Sequence, residues 1–295
     1  MTEKVTQLPD RPRSALWRAL KSFGLLRESP VGMIGAGIAA FWILVALIAP
    51  FAAPFSPTEL ILPFAGPLSE APGGGRFWFG TDNLGRDILS RIMWGARTVL
   101  ILAPIATFGA FIVGISMGVA AGYWRGWLDE VLSFVSNVIL SFPVLVLYII
   151  IIATIGASAV NIVVAVTFAS APGIMRIVRG LVLDLRNRSY VAAAQTRGES
   201  SLFIMLVEIL PNARGPIIVD AMLRLGYVTI TIAVLGFLGL GLPPPSPDWG
   251  SMINQARPMM IAFPYMAIFP AAAISSLVLG FNLLADGLRE ISLKD

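Results

Sequence analysis

The chain has 295 residues, 57% of them hydrophobic and only 13% charged, with a formal net charge of +4 and neither cysteine nor histidine. A soluble domain carries about 25% charged residues, so this composition specifies an integral membrane protein of the all-α class. Disulfides, thiol chemistry, imidazole metal sites and histidine general bases are excluded, and the positive charges sit beside apolar runs rather than among interleaved aromatics, which argues for membrane topology and against nucleic-acid binding.

Residues 1–30 form a polar, basic tail carrying Lys4, Arg11, Arg13, Arg18, Lys21 and Arg27. The uncharged run that follows, 31–55, is longer than a signal-peptide core of about 7 to 15 residues and reads as the first transmembrane helix. Within the tail Leu16, Leu20 and Phe23 share a helical stripe with Arg18 and Lys21 off it. That pattern permits an interfacial helix along the membrane; a disordered tail is the alternative.

Residues 56–97 form an extracytoplasmic loop. Pro57, Pro63, Pro67, Pro72 and Gly73-Gly74-Gly75 predict irregular structure at its start. Over 79–100 a helix leads towards the second span, and Asp87 and Arg91, one turn apart, are expected to pair. Such a segment either only pairs its own charges or serves as a gate or receptor-facing surface.

Further apolar runs occupy 98–124, 131–175 and 258–285, and another, 215–242, is interrupted only by Asp220 and Arg224. As one helix, 131–175 would measure about 68 Å, twice a hydrocarbon core of about 30 Å. It therefore crosses twice, turning near Gly156-Ala157-Ser158. Six transmembrane helices result, with both termini on one side. Gly114, Gly118 and Gly122 make one glycine face suited to close packing, within the chain or on a second subunit. Tyr123, Trp124 and Trp127 mark an interfacial belt.

With the N-terminus cytoplasmic, fifteen Lys and Arg fall in inside segments and five in outside ones. The positive-inside bias then places both ends in the cytoplasm. Asp220 and Arg224 are the charges inside a span. They either line a translocation path or its gate, or form an ion pair that snorkels to the interface. At the far end of that span, 235–253 combines glycines, a proline cluster and Trp249, which predicts an ordered outer loop that either only joins two tight spans or serves as an outer gate under a docking receptor.

Segment 190–212 is a soluble-looking island in the cytoplasm. The triplet Ala192-Ala193-Ala194, then Gly198, then Pro211 predict two short helices meeting at a glycine bend, the second ending at the proline. An exposed helix-turn-helix with methyl-sized residues on one side suits a groove on a partner protein. The expected docking residues are Ala193 and Ala194 for close approach, Gly198 for the bend, Glu199, Ser200 and Leu202 around it, and Pro211 at its close.

This island resembles the EAA loop of ABC-importer permeases, departing from it at Ala192, where glutamate is usual, and at Glu208, where isoleucine is common. The wider pattern is more specific. Ser29-Pro30-Val31-Gly32-Met33-Ile34-Gly35, Gly80-Thr81-Asp82-Asn83-Leu84-Gly85-Arg86-Asp87, Gly236-Phe237-Leu238-Gly239-Leu240-Gly241, Pro247-Asp248-Trp249-Gly250 and the segment NLLADGLR at 282–289 are together similar to the C-type second permease subunit of the dipeptide/oligopeptide/nickel transport family.

The resemblance implies a type I ABC importer permease fold: a transmembrane core over 98–289, a cytoplasmic coupling helix in loop 184–214, and a cytoplasmic C-terminus at 290–295. It implies a multi-pass protein of the bacterial inner membrane, in contact with lipid. The expected partners are a homologous permease, forming a heterodimer, one or two cytoplasmic ABC ATPase subunits, and an extracytoplasmic solute-binding protein. No cofactor is expected, and the chain is not an enzyme: it has no Gly-Lys dipeptide and hence no phosphate loop. The solute is expected to be a di- or oligopeptide, with a nickel chelate, glutathione, an opine or a sugar left open. A self-sufficient secondary transporter is the alternative of another class, and it would need matching inverted halves. A membrane enzyme lacks the carboxylate clusters it would need.

Overall fold

Helix boundaries follow the caps and breakers in the sequence. The computed structural model describes residues 29–292, so the stripe of Leu16, Leu20 and Phe23 lies outside the described residues. Helix α1 (Pro30–Ala52) starts on Ser29, whose Oγ accepts from the Gly32 amide, with Pro30 in the first turn. The loop beyond it is irregular apart from a short antiparallel ribbon of β1 (Ser69–Glu70) and β2 (Arg76–Phe77). Helix α2 (Ile88–Trp124) is capped by Asp87, which accepts from the Ser90 amide at 2.7 Å.

Helices α3 (Gly126–Ser141) and α4 (Val144–Ile155) meet at a 90° bend. Pro143 causes it, having no amide to continue the ladder and forcing Phe142 into extended backbone. Gly156, at φ +88°, closes α4, and Ser158 caps α5 (Ala159–Leu185) by accepting from Asn161. The turn expected at Gly156-Ala157-Ser158 is therefore present. Then come α6 (Ser189–Thr196), α7 (Ser201–Phe237), α8 (Trp249–Ala256) and α9 (Tyr265–Ser292).

Five of these helices, α1, α2, α5, α7 and α9, are long and apolar enough to cross a membrane, and the bent pair α3–α4 meets the same criterion when taken as one broken span. Packing shows why that pair is a crossing. Gly114 faces Ile174, Gly118 faces Val178 and Gly122 faces Val182, so α2 and α5 run parallel. The chain must return between them, and α3–α4 is the return. In the other direction, Gly32 meets Gly287 and Gly35 meets Leu284, so α1 and α9 are antiparallel. The start of α1 and the end of α9 thus share one end of the bundle.

Lipid supplies no hydrophobic drive between helices, so contact distance decides which helices stay together. A Cβ at Gly114 would sit 2.6 Å from Ile174 Cβ, one at Gly118 2.7 Å from the Met175 carbonyl, and one at Gly122 2.7 Å from Val182 Cβ. The glycine face read from the sequence is filled by α5 of the same chain. Across the bundle, Trp42 Nε1 donates to Ser276 Oγ at 3.0 Å and stacks edge-on with Trp249, tying α1 to α9 and α8.

Gly118→Ala should destabilise the protein by about 1–3 kcal/mol through overpacking, whereas Gly37→Ala, with nothing within 4 Å of its added methyl, should not. Thermal melting of both purified variants in detergent checks this. Equal melting temperatures would remove the seam from the account.

Candidate functional site

The island 190–212 folds as a hairpin of helices around Gly198. Its φ is +77°, the left-handed region where a side chain is strained. Around it the Glu199 amide donates to the Ala194 carbonyl at 3.2 Å, and Ser200 Oγ caps the start of α7 by accepting from Phe203. The glycine bend is as expected, but the second helix does not stop at Pro211. Residues Ile204–Ile209 form a π-helical turn in which the Leu210 amide reaches Met205, and the helix continues to Phe237. Proline's missing amide is accommodated beside this widened turn.

The two faces of the hairpin differ. Val191 and Ala194 are fully buried with Ile204, Met205 and Ile209 against Val178 and Val182 of α5. Ala194 therefore points inward, where its small size lets α6 lie close on α7. Ala193, Gly198, Ser200, Leu202 and Pro211 are exposed, and Glu199 is half-buried. Leu202 is 62% exposed, with Leu206 and Val207 beside it. Arg197 spans the bend, 3.7 Å from Glu199 and 3.4 Å from Glu208, so Glu208 has a partner inside its own loop.

Behind the hairpin, Arg186 Nη1 donates to the Tyr123 carbonyl at 2.7 Å and the Gly122 carbonyl at 3.3 Å. It thereby satisfies orphan acceptors at the end of α2. Asp129 of α3 receives Arg179 Nη2 at 2.7 Å in a two-point pair, and Arg176 Nη2 donates to Asn137 Oδ1 at 2.9 Å. Both arginines lie within α5 and hold α3 against it. Nothing local reveals the pairing, since Asp129 and Arg179 are fifty residues apart.

Asp220 and Arg224 form an ion pair along α7, Nε to Oδ2 at 2.7 Å, with side chains 18% and 22% exposed. The guanidinium lies over Gly173 of α5, where a Cβ would come within 3.3 Å of it. Both expected residues are thus brought together at a joint between α5 and α7.

At the opposite end of the bundle the long loop is ordered on α2 and α8. Thr81 Oγ1 accepts from the Ala65 amide at 2.8 Å, and Tyr265 donates to the Ala65 carbonyl at 3.0 Å. The expected Asp87–Arg91 pair is absent. Asp87 spends its carboxylate capping α2 through Ser90, while Arg91 Nη1 donates to the Pro57 carbonyl and Nε lies 3.8 Å from Asp82. Asp82 instead pairs with Arg86 at 2.7 Å, at an i,i+4 spacing visible in the sequence. Arg86 also donates to Gln255 of α8 at 2.6 Å, and Trp249 Nε1 donates to the Ile92 carbonyl at 3.0 Å. Asp248 caps α8 through Gly250 and Ser251. Burial pushes its carboxyl above the usual range, opposed by those hydrogen bonds.

Residues 114–294 match the family described as binding-protein-dependent transport system inner membrane component. The chain is 37% identical over 276 residues to the dipeptide transport system permease protein DppC of Alkalihalophilus pseudofirmus, covering 93% of this chain and 88% of that protein. It is 41% identical over 223 residues to the glutathione transport system permease protein GsiD of Pectobacterium atrosepticum, covering 76% and 74%. It is 37% identical over 282 residues to GsiD of Escherichia coli O157:H7, covering 96% and 91%. Among solved structures, an inward-facing MetNI methionine ABC transporter aligns with a TM-score of 0.57 at 19% identity, over 68% of this chain and 96% of that one. This last likeness concerns the fold alone.

Removing one member of the Asp220–Arg224 pair leaves an unanswered charge in a span. Asp220→Ala and Arg224→Ala are each expected to cost about 1–3 kcal/mol, and the double variant less than the worse single one. A thermal-melting double-mutant cycle measures this; additive losses would mean the two side chains do not depend on each other.

Proposed function

We infer the function from one premise: this chain belongs to the family of binding-protein-dependent transport system inner membrane components, the permeases of ABC importers. It is a multi-pass inner-membrane permease with the type I importer fold, and importers of this kind work with ATPase and solute-binding partners. The permease pairs with a homologous second permease as a heterodimer, one or two ATPases dock in the cytoplasm, and a binding protein delivers the solute from outside. Both termini are cytoplasmic, which the excess of arginine and lysine in the corresponding segments supports. The transported solute is a peptide. The observation that carries this is the 37% identity over 93% of the chain to a permease named for dipeptides, and the relatives named for glutathione transport a peptide as well.

Coupling runs through the bend at Gly198. Ala193, Gly198, Ser200 and Leu202 present an exposed surface to the ATPase, with Glu199 and Pro211 at its margins. Closure of the ATPases on nucleotide presses on α6. Val191 and Ala194 pass that load to α5 and the start of α7 through the buried cluster beneath. The glycine seam and the Arg186 contacts join α5 to α2, so these helices move as one body and change which side of the path is open. Asp220 and Arg224, at the joint between α5 and α7, line the path or its inner gate. ATP hydrolysis belongs to the partner subunits.

Leu202→Asp places a charge on the exposed face, and Gly198→Asp retains a residue that tolerates the left-handed backbone. Both variants should insert normally, yet lower ATPase co-purification and ATP-driven uptake by about tenfold or more, as for a residue central to an interface. Normal uptake by well-expressed variants would remove the docking role.

A further inference from the structure

A groove of about 400 Å³ runs along the outside of the bundle between α1 and α2, within the size range of small-ligand sites. Ile43 and Leu47 of α1 form one wall, Leu100 and Pro104 of α2 the other, and Leu225 of α7 and Phe281 of α9 close it from inside. Ile43 and Leu47 are 48% and 67% exposed, whereas Phe281 is 5% exposed, so the groove opens outward over a recessed floor. Arg97 is its charged lining residue, at the end nearest the start of α2, and every other lining residue is apolar.

Arg97 has no answering charge. Among the described residues it makes no ion pair and no hydrogen bond, and its guanidinium lies over the Trp94 ring, 4.9 Å from the centroid. The other arginines of this segment differ: Arg86 is held by Asp82 and Gln255, and Arg91 by the Pro57 carbonyl. Depth along α2 identifies what surrounds Arg97. It lies 27 residues before Trp124 of the interfacial belt, about 40 Å along the helix at 1.5 Å per residue. A bilayer with its headgroups is about 40–45 Å thick. Trp124 at one headgroup level therefore puts Arg97 and Trp94 at the other, where basic and aromatic side chains anchor spans. From Arg97 to Pro104 the wall of α2 descends about 10 Å, into a hydrocarbon half-layer of about 15 Å. A lone cation at headgroup level above an apolar groove of that depth complements the phosphate and one chain of a lipid.

We propose that this groove is a specific seat for an anionic phospholipid, with the phosphate on Arg97 and one acyl chain between α1 and α2. A guanidinium suits phosphate because its planar fork donates two parallel hydrogen bonds. Trp94 against the guanidinium holds that fork in place. A single flexible chain follows the walls down to the recessed Leu225 and Phe281 and fills the space that α1 and α2 leave between them. The lipid thus joins two helices at the end of the bundle opposite the Gly198 hairpin.

The test uses the full-length chain, purified from membranes in mild detergent with its accompanying subunits, delipidated, and titrated with phosphatidylglycerol under native mass spectrometry. Arg97→Gln should weaken the tightest phosphatidylglycerol site by about tenfold or more, as for a lost hydrogen bond to a charged group, and Arg97→Lys should restore part of that affinity. Arg257→Gln removes the same charge from an exposed position outside the groove and should leave the site unchanged. Inorganic phosphate, which lacks the chain, should not compete. Equal affinity in Arg97→Gln and the unaltered protein would overturn the proposal. So would an equal loss in Arg257→Gln, which would make the effect one of diffuse charge, or competition by inorganic phosphate, which would leave the groove without a part. Unchanged lipid binding with release of an accompanying subunit from Arg97→Gln would overturn it too, by giving this face to a partner protein.

Discussion

Contact distance between helices is the constraint on which this structure depends. In lipid, apolar side chains gain nothing by leaving the membrane for one another, so helices hold together where their backbones approach closely. Gly114, Gly118 and Gly122 allow that approach between α2 and α5, and Gly32, Gly35, Gly280 and Gly287 allow it between α1 and α9. These seams fix directions as well as contacts. The parallel seam forces the intervening chain to return through a bent pair, and the antiparallel one brings the two ends of the described chain together.

The hairpin around Gly198 rests on the joined pair α2–α5. Here Arg186 ties the foot of α5 to the last carbonyls of α2, and Arg179 and Arg176 tie α3 to the same helix. The hairpin is joined to this body by a buried apolar cluster, while its other face stays exposed. The π-helical turn just past the bend keeps the hairpin continuous with α7, the helix that bears Asp220 and Arg224. The hairpin thus packs on α5 and runs on into α7.

Much of this was legible in residue order because membrane spans and bends are local features. Run lengths located the spans, Gly156 and Gly198 located two turns, and glycines every four residues located a packing face. What escaped depends on long-range partners or on competition between them. Pro143 bends the third crossing, but a 45-residue uncharged run conceals the break. Pro211 suggests a helix end, and a π-helical turn carries the chain past it instead. Asp87 and Arg91 have the spacing of an ion pair, yet the cap of α2 claims the carboxylate first. Ala194 looks like its neighbour Ala193 in sequence, and only the packing of α6 on α7 distinguishes the buried one from the exposed one.

The account stands or falls on this chain being one part of an ATP-driven assembly. The direct measurement is to purify it from native membranes in mild detergent, identify what accompanies it, and reconstitute the result for solute uptake with and without ATP. Recovery of a second six-span permease with one or two ATPases, and peptide uptake only when ATP and binding protein are present, is the predicted result. A chain that purifies alone and transports without ATP would contradict it.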